Sequence, residues 1–208
     1  MAKKPKPCAR SRAASGAGFI DAGAEEAIVP ALWGQDTFIE KTGGSEIMGQ
    51  MWAFEDKAGR PCCLIPEATA LFQERSALLL AGRREATFFY AARCYRYERP
   101  QALRYREFTQ LGVEVLGDPE RGLARSQALC IGFLDSLGLA YELDLRASRG
   151  LTYYLGGQGF EVRCPVLENQ RQVVGGGAYA EGAGFGIGLE RLAMALALQR
   201  ARETPTSS

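Results

Sequence analysis

The chain has 208 residues, 47% hydrophobic and 24% charged, with a formal net charge of +1. This is ordinary for a globular domain with a substantial core, and the near-neutral balance gives no global pull toward nucleic acid. Histidine is absent, which excludes Ser-His-Asp and Cys-His catalysis, His-ligated zinc and imidazole acid–base chemistry. Chemistry must then rest on arginine, carboxylate, tyrosine, backbone groups and a bound metal. No apolar run approaches a membrane span, so no membrane partner is expected. Cys8, Cys62, Cys63, Cys94, Cys130 and Cys164 form no C-x-x-C pair. They read as reduced, mostly buried thiols of a cytoplasmic protein.

In chain order, residues 1–17 read as a flexible basic arm carrying Lys3, Lys4, Lys6, Arg10 and Arg12. The arm lacks the apolar segment of a signal peptide. A short strand is expected over 27–32. Strands over 51–54 and 60–65 are joined by the turn Glu55-Asp56-Lys57-Ala58-Gly59. Helical spacing runs over 67–80. Strands over 88–97 and 108–116 flank a charged loop. A helix over 121–137 is stopped by Gly138. Further strands are expected over 141–145, 160–164 and 172–174, then a helix over 185–200 entered through glycines. Residues 201–208 read as a disordered tail. The sum is roughly seven strands and three or four helices, joined by hairpins without regular βαβ alternation. That pattern is an α+β domain over 18–200, built on a mainly antiparallel sheet flanked by helices.

The charged loop carries the chemistry. Arg96, Arg99, Arg104 and Arg106 stand with Glu98 and Glu107 among aromatics between Tyr95 and Phe108. Such a density of charge is costly to bury unless something anionic sits there. Guanidinium forks suit phosphate and carboxylate because they bond two oxygens at once. From Phe108 onward the chain alternates. Leu111, Val113 and Val115 point one way; Phe108, Gln110, Gly112 and Glu114 point the other. The second set would present an aromatic plate, an amide, a gap and a carboxylate on an open face. The competing reading is a solvated hairpin with surface charges.

These segments resemble the class II aminoacyl-tRNA synthetases in their histidyl-tRNA synthetase version. The charged stretch resembles motif 2. Leu64-Ile65-Pro66-Glu67-Ala68-Thr69-Ala70 resembles that family's Pro-Glu-Gly-Thr segment. Arg149-Gly150-Leu151-Thr152-Tyr153-Tyr154 resembles its histidine-specific Arg-Gly-Leu-x-Tyr-Tyr motif, and Gly184-Phe185-Gly186-Ile187-Gly188-Leu189-Glu190-Arg191-Leu192 resembles motif 3. The four stand in the family's order.

The resemblance implies ATP-dependent activation of an amino acid, histidine, to an aminoacyl-adenylate, with ATP and Mg²⁺ bound and tRNA or another acyl acceptor as partner. It implies a homodimer. Arg96 is implied to bridge α-phosphate and carboxylate, Arg104 to reach the γ-phosphate, and Arg191 to complete the triphosphate clamp. Phe108 would stack on adenine, with Glu98 near the adenine amine and Glu114 close to the metal. Arg149 would sit at the α-phosphate. For the amino acid, Glu67 and Thr69 would hold the α-amino end, Gln110 would meet the carboxylate, and Tyr153 and Tyr154 would line the side-chain pocket. Plainer readings stand beside these. Arg191 could lie on a helix surface, Phe108 in a core, Glu67 at a helix N-terminus, and the two tyrosines as strand filler. The glycines of 175–177 and Gly184, Gly186 and Gly188 are expected to bare the sheet backbone to substrate.

The chain also departs from the family. Only residues 201–208 follow motif 3, where an anticodon-binding domain is usual, the inserted domain before Arg149 is absent, and the motif 1 region is short. Where the family usually has Arg-Tyr-Asp this chain reads Ala178-Tyr179-Ala180, and Ile65 stands where an arginine commonly precedes the Pro-Glu pair. A second reading is therefore a non-catalytic, histidine-sensing regulatory subunit of ATP phosphoribosyltransferase. The retained Arg96, Arg104, Arg149 and Arg191 oppose it, since a sensor of histidine needs no triphosphate clamp.

Overall fold

A computed structural model describes residues 16–42, 46–99 and 104–203. Residues 1–15 of the arm expected over 1–17, with Cys8, loop residues 100–103, and residues 204–208 of the tail expected over 201–208 lie outside the described residues. After a helical turn over 16–21, the chain forms β1 (Glu25–Glu26), β2 (Leu32–Gly34), α1 (Gln35–Thr42), α2 (Glu46–Gln50), β3 (Trp52–Glu55) and β4 (Pro61–Leu64). Next come α3 (Thr69–Glu74), α4 (Ser76–Leu80), β5 (Ala86–Tyr95), β6 (Glu107–Leu116) and α5 (Pro119–Ser136). The remainder is β7 (Glu142–Ser148), a 3₁₀ turn at Leu155–Gly157, β8 (Gln158–Arg163), β9 (Gln172–Tyr179), β10 (Gly182–Gly188) and α6 (Leu189–Glu203).

Seven strands make the main sheet, in the order β1-β5-β6-β10-β9-β8-β7, and β2-β4-β3 make a smaller one. Among the described residues, only the β1–β5 pairing of this sheet is parallel. The long β5–β6 pair sets the register, from Ala86 opposite Leu116 to Tyr95 opposite Glu107. Because side chains alternate along a strand, one face of β6 and β10 is apolar. Leu111, Val113, Val115, Phe185 and Ile187 pack there against Cys130, Phe133 and Leu134 of α5 and Leu192 of α6. Asp118 caps α5, its Oδ1 accepting from the Arg121 amide at 2.9 Å, a cap worth about 1 kcal/mol. Gly138, at φ 63°, ends that segment in the left-handed region.

The opposite face is covered only in part. Phe88, Tyr90, Leu116 and Tyr179 pack there against Phe38, Ile65 and Phe72. The uncovered part is the site. Among the described residues, five cysteines are free and four of them buried, and no helix is long and apolar enough to cross a membrane.

The structure corrects four expected elements. Residues 182–188 are a strand, and the helix begins only at Leu189. Glycine alternates with Ala183, Phe185 and Ile187, a period of two that matches the sheet and not a helix. The helix expected over 67–80 is two, broken at Arg75. Arg75 packs over Trp33 at 5.3 Å, while Glu74 Oε2 accepts from Trp33 Nε1 and Thr37 Oγ1. The strand expected over 27–32 is for the most part the connection between β1 and β2, with only Leu32 in a strand; Pro30 within it has no amide proton to give a ladder. Finally, α6 extends to Glu203, past the expected boundary at 200.

Candidate active site

The site face is organised by one cross-sheet row. Asp144, Glu161, Gly175, Gly186, Gly112 and Tyr90 stand opposite one another on β7, β8, β9, β10, β6 and β5. Three adjacent glycines form a trough in its middle. It is not bare backbone, as the sequence suggested. A Cβ on Gly175 would collide with the Arg149 guanidinium, on Gly186 with the Gln110 amide, and on Gly112 with the Tyr90 hydroxyl. In the neighbouring row a Cβ on Gly184 would collide with the Glu114 carboxyl. The glycines let long polar side chains lie flat on the sheet.

Above this trough lies a cavity of about 290 Å³. Every residue expected at the site lines it except Glu114: Arg96, Glu98, Arg104, Phe108, Gln110, Glu67, Thr69, Arg149, Tyr153, Tyr154 and Arg191. The chain therefore brings four arginines into one cavity, two from the charged loop between β5 and β6, one from the segment after β7 and one from α6. Arg96 Nε donates to the Pro66 carbonyl at 2.9 Å, and its guanidinium lies 5.2 Å over the Phe108 ring. Arg104 Nη1 donates to Glu98 Oε2 at 3.0 Å and its Nε to Gln170 Oε1 at 3.0 Å. Arg191 Nη1 donates to the Gln172 carbonyl at 2.6 Å. Burial, then repulsion from Arg104 and Arg96, holds the Arg191 pKa below the ordinary arginine value; Glu98 opposes this. Cations crowded in this way suit a polyanion.

The polar wall is built around α3. Glu67 accepts from the amides of Thr69 at 2.7 Å and Ala70 at 2.9 Å, and the Tyr153 hydroxyl reaches it at 3.5 Å. Glu67 thus does what the plainer reading asked of it at a helix start, while still lining the cavity. Burial raises its pKa, and the Ala70 amide and Arg96 oppose that rise. Tyr153 and Tyr154 sit in the loop before the 3₁₀ turn, so they are not strand filler. Gln110 Oε1 is 3.2 Å from Cys94 Sγ.

Glu114, expected close to the metal, does not line the cavity. It is fully buried beneath the cavity. Its Oε1 accepts from Thr69 Oγ1 at 2.7 Å and Tyr90 Oη at 3.3 Å, and its Oε2 from Tyr179 Oη at 2.7 Å. Burial pushes its pKa up to about 8, against the pull of these hydroxyls. Among the described residues no cluster of three or more His, Cys, Asp or Glu could hold a metal ion.

Sequence reasoning missed four residues here. Glu190 accepts from both the amide and the hydroxyl of Thr109 at 2.9–3.0 Å, fixing α6 to β6. Gln170, at φ 62°, anchors Arg104. Glu161 faces Arg149, and Tyr179 occupies Glu114. Glu190 was open to notice beside Arg191. The others depend on register and loop geometry.

Residues 11–139 match the family described as histidyl-tRNA synthetase. The histidine–tRNA ligase of Archaeoglobus fulgidus is 36% identical over 129 residues, 59% of this chain and 30% of that protein. That of Methanosphaerula palustris is 32% identical over 164 residues, 75% of this chain and 39% of that protein. The chain thus spans between 30% and 39% of the length of these two curated relatives. Among solved structures, a pyrrolysyl-tRNA synthetase of Desulfitobacterium hafniense aligns with a TM-score of 0.69 at 22% identity, covering 89% of this chain and 67% of that one. That likeness establishes the class II synthetase catalytic fold. With a family match spanning motif 2 and a sheet that gathers the motif arginines into one cavity, the chain belongs to the histidyl-tRNA synthetase family.

Proposed function

We propose that the chain activates histidine with ATP, forming histidyl-adenylate and pyrophosphate. The observation that carries this reading is the convergence of Arg96, Arg104, Arg149 and Arg191 on one cavity that also holds Phe108 and the Glu67–Gln110–Tyr153 wall. ATP enters as its magnesium complex, the metal neutralising part of the triphosphate charge. Arg104 and Arg191 bind the β- and γ-phosphates, Phe108 stacks on adenine, and Glu98 lies near its amine. Arg96 and Arg149 hold the α-phosphate against the amino-acid carboxylate. Glu67 and Thr69 meet the α-amino group, Gln110 the carboxylate, and Tyr153 and Tyr154 the side chain, whose imidazole needs polar partners.

One carboxylate oxygen attacks the α-phosphorus. The bond from that phosphorus to the bridging oxygen breaks, and pyrophosphate leaves with the electron pair. No proton has to move, so a chain without histidine can carry the step. The transition state spreads negative charge over equatorial oxygens, and fixed cations already aimed there stabilise it. Transfer to tRNA or another acyl acceptor, and pairing of two copies, complete the proposal. The free cysteines support a reducing, cytoplasmic setting.

ATP–pyrophosphate exchange with each standard amino acid in turn tests this reading. Exchange with histidine alone is expected. Exchange with another amino acid keeps the mechanism and overturns the specificity, and exchange with none by folded protein overturns the activity.

A further inference from the structure

Arg149 is held by more than its own loop. Its backbone amide donates to the Gly157 carbonyl at 2.9 Å. Its stem crosses Gly159, where a Cβ would stand 2.9 Å from Cγ, and its head fills the space over Gly175. The Tyr154 ring flanks the guanidinium at 5.3 Å. These contacts fix a plane and leave the direction of the fork open. Arg149 Nε is buried and has no hydrogen-bond partner among the described residues. Charge supplies the missing restraint. Glu161 stands next to Gly175 in the cross-strand row, and its Oε2 is 3.7 Å from Arg149 Nη1. The two side chains are 11% and 14% exposed. Glu161 Oε1 is held from the other side by Arg163 Nε at 2.5 Å, and Arg163 is 48% exposed. One carboxylate therefore ties a cavity arginine to an arginine at the surface.

We propose that Glu161 is a positioning residue that aims the Arg149 guanidinium along the glycine trough. Without its charge, a largely buried cation loses its counter-charge among the described residues, and the fork is free to turn. The placement follows from geometry alone. Its consequence for catalysis rests on the activation reading above. There, Arg149 must meet a phosphate oxygen in the transition state, and a misaimed group slows the step by up to about 100-fold.

The test compares the full chain with Glu161→Gln, which keeps size and removes charge, and with Gly175→Ala, which fills the slot from the sheet side. Two readouts are taken: ATP–pyrophosphate exchange, and ¹⁵N resonances of the Arg149 guanidinium, assigned with Arg149→Lys. In the parent the two Nη groups are expected to give separate signals, because rotation is restricted. In both variants these signals should merge. In Glu161→Gln, kcat should fall by on the order of 10- to 100-fold while KM for ATP stays within about twofold, the signature of lost transition-state alignment. Unchanged kcat, or separate signals that persist in both variants, would overturn the proposal. If the parent exchanges with no amino acid, the activation reading falls, and the resonances alone decide whether Glu161 positions Arg149.

Discussion

The guanidinium of Arg96 lies 5.2 Å over the face of Phe108, and Arg96 Nε is tied back to the Pro66 carbonyl. One face of the ring is thus a cation platform, with the rest of the ring turned to the cavity. A base stacked on such a ring gains about 1–3 kcal/mol. Phe108→Ala is therefore expected to weaken ATP about tenfold or more, with little effect on the amino acid. Calorimetric titration with each ligand separately checks this, and undiminished ATP affinity would remove Phe108 from the adenine subsite.

Arg191 enters the cavity from α6, bonded to the Gln172 carbonyl, with its charge already disfavoured by burial and by its arginine neighbours. An anion that relieves this repulsion binds all the more strongly. Arg191→Ala is expected to lower kcat/KM for exchange by about 10²–10³, as for other oriented donors to developing charge. The melting temperature should hold, because removing a repelled cation costs the fold little. Full activity in the variant would show that motif 3 does not clamp the triphosphate here.

Gly186 is expected to be intolerant for a reason that concerns the amino acid. Its missing Cβ is the space in which the Gln110 amide lies. Gly186→Ala should displace Gln110 and raise KM for histidine more than KM for ATP, and Gln110→Ala should do the same. Steady-state exchange at varied concentrations of each substrate separates the two constants. Equal rises in both would remove Gln110 from the amino-acid subsite.

Glu114 gives a pH prediction. Its pKa is pushed from the ordinary 4.5 up to about 8 by burial. Between those values the folded chain holds a proton that the unfolded chain has lost. Stability from this group is then fully present below 4.5 and is lost as pH rises through about 8, with a slope of at most about 1.4 kcal/mol per pH unit. The Glu67 shift, also upward, has the same sign. Urea melts of the parent should weaken from pH 5 to pH 9, and Glu114→Gln should flatten that fall. A variant that keeps the parent slope would show that Glu114 is ionised throughout.

Much of this protein was written locally. The alternation of β6 announced its apolar face at Leu111, Val113 and Val115, and Gly138 marked the end of α5. The arginines of the motifs and the tyrosine pair could be picked out by residue type and order, because guanidinium and phenol carry chemistry wherever they stand. Register was different. That Gly175, Gly186 and Gly112 share one row depends on how three strands pair, and no single strand encodes that. The same pairing brings Glu161 beside Arg149, and the burial it produces encloses Glu114 among hydroxyls and raises its pKa. Residue identity set which chemistry was available; the desolvation and cross-strand contacts that choose among those chemistries exist only once the sheet has closed.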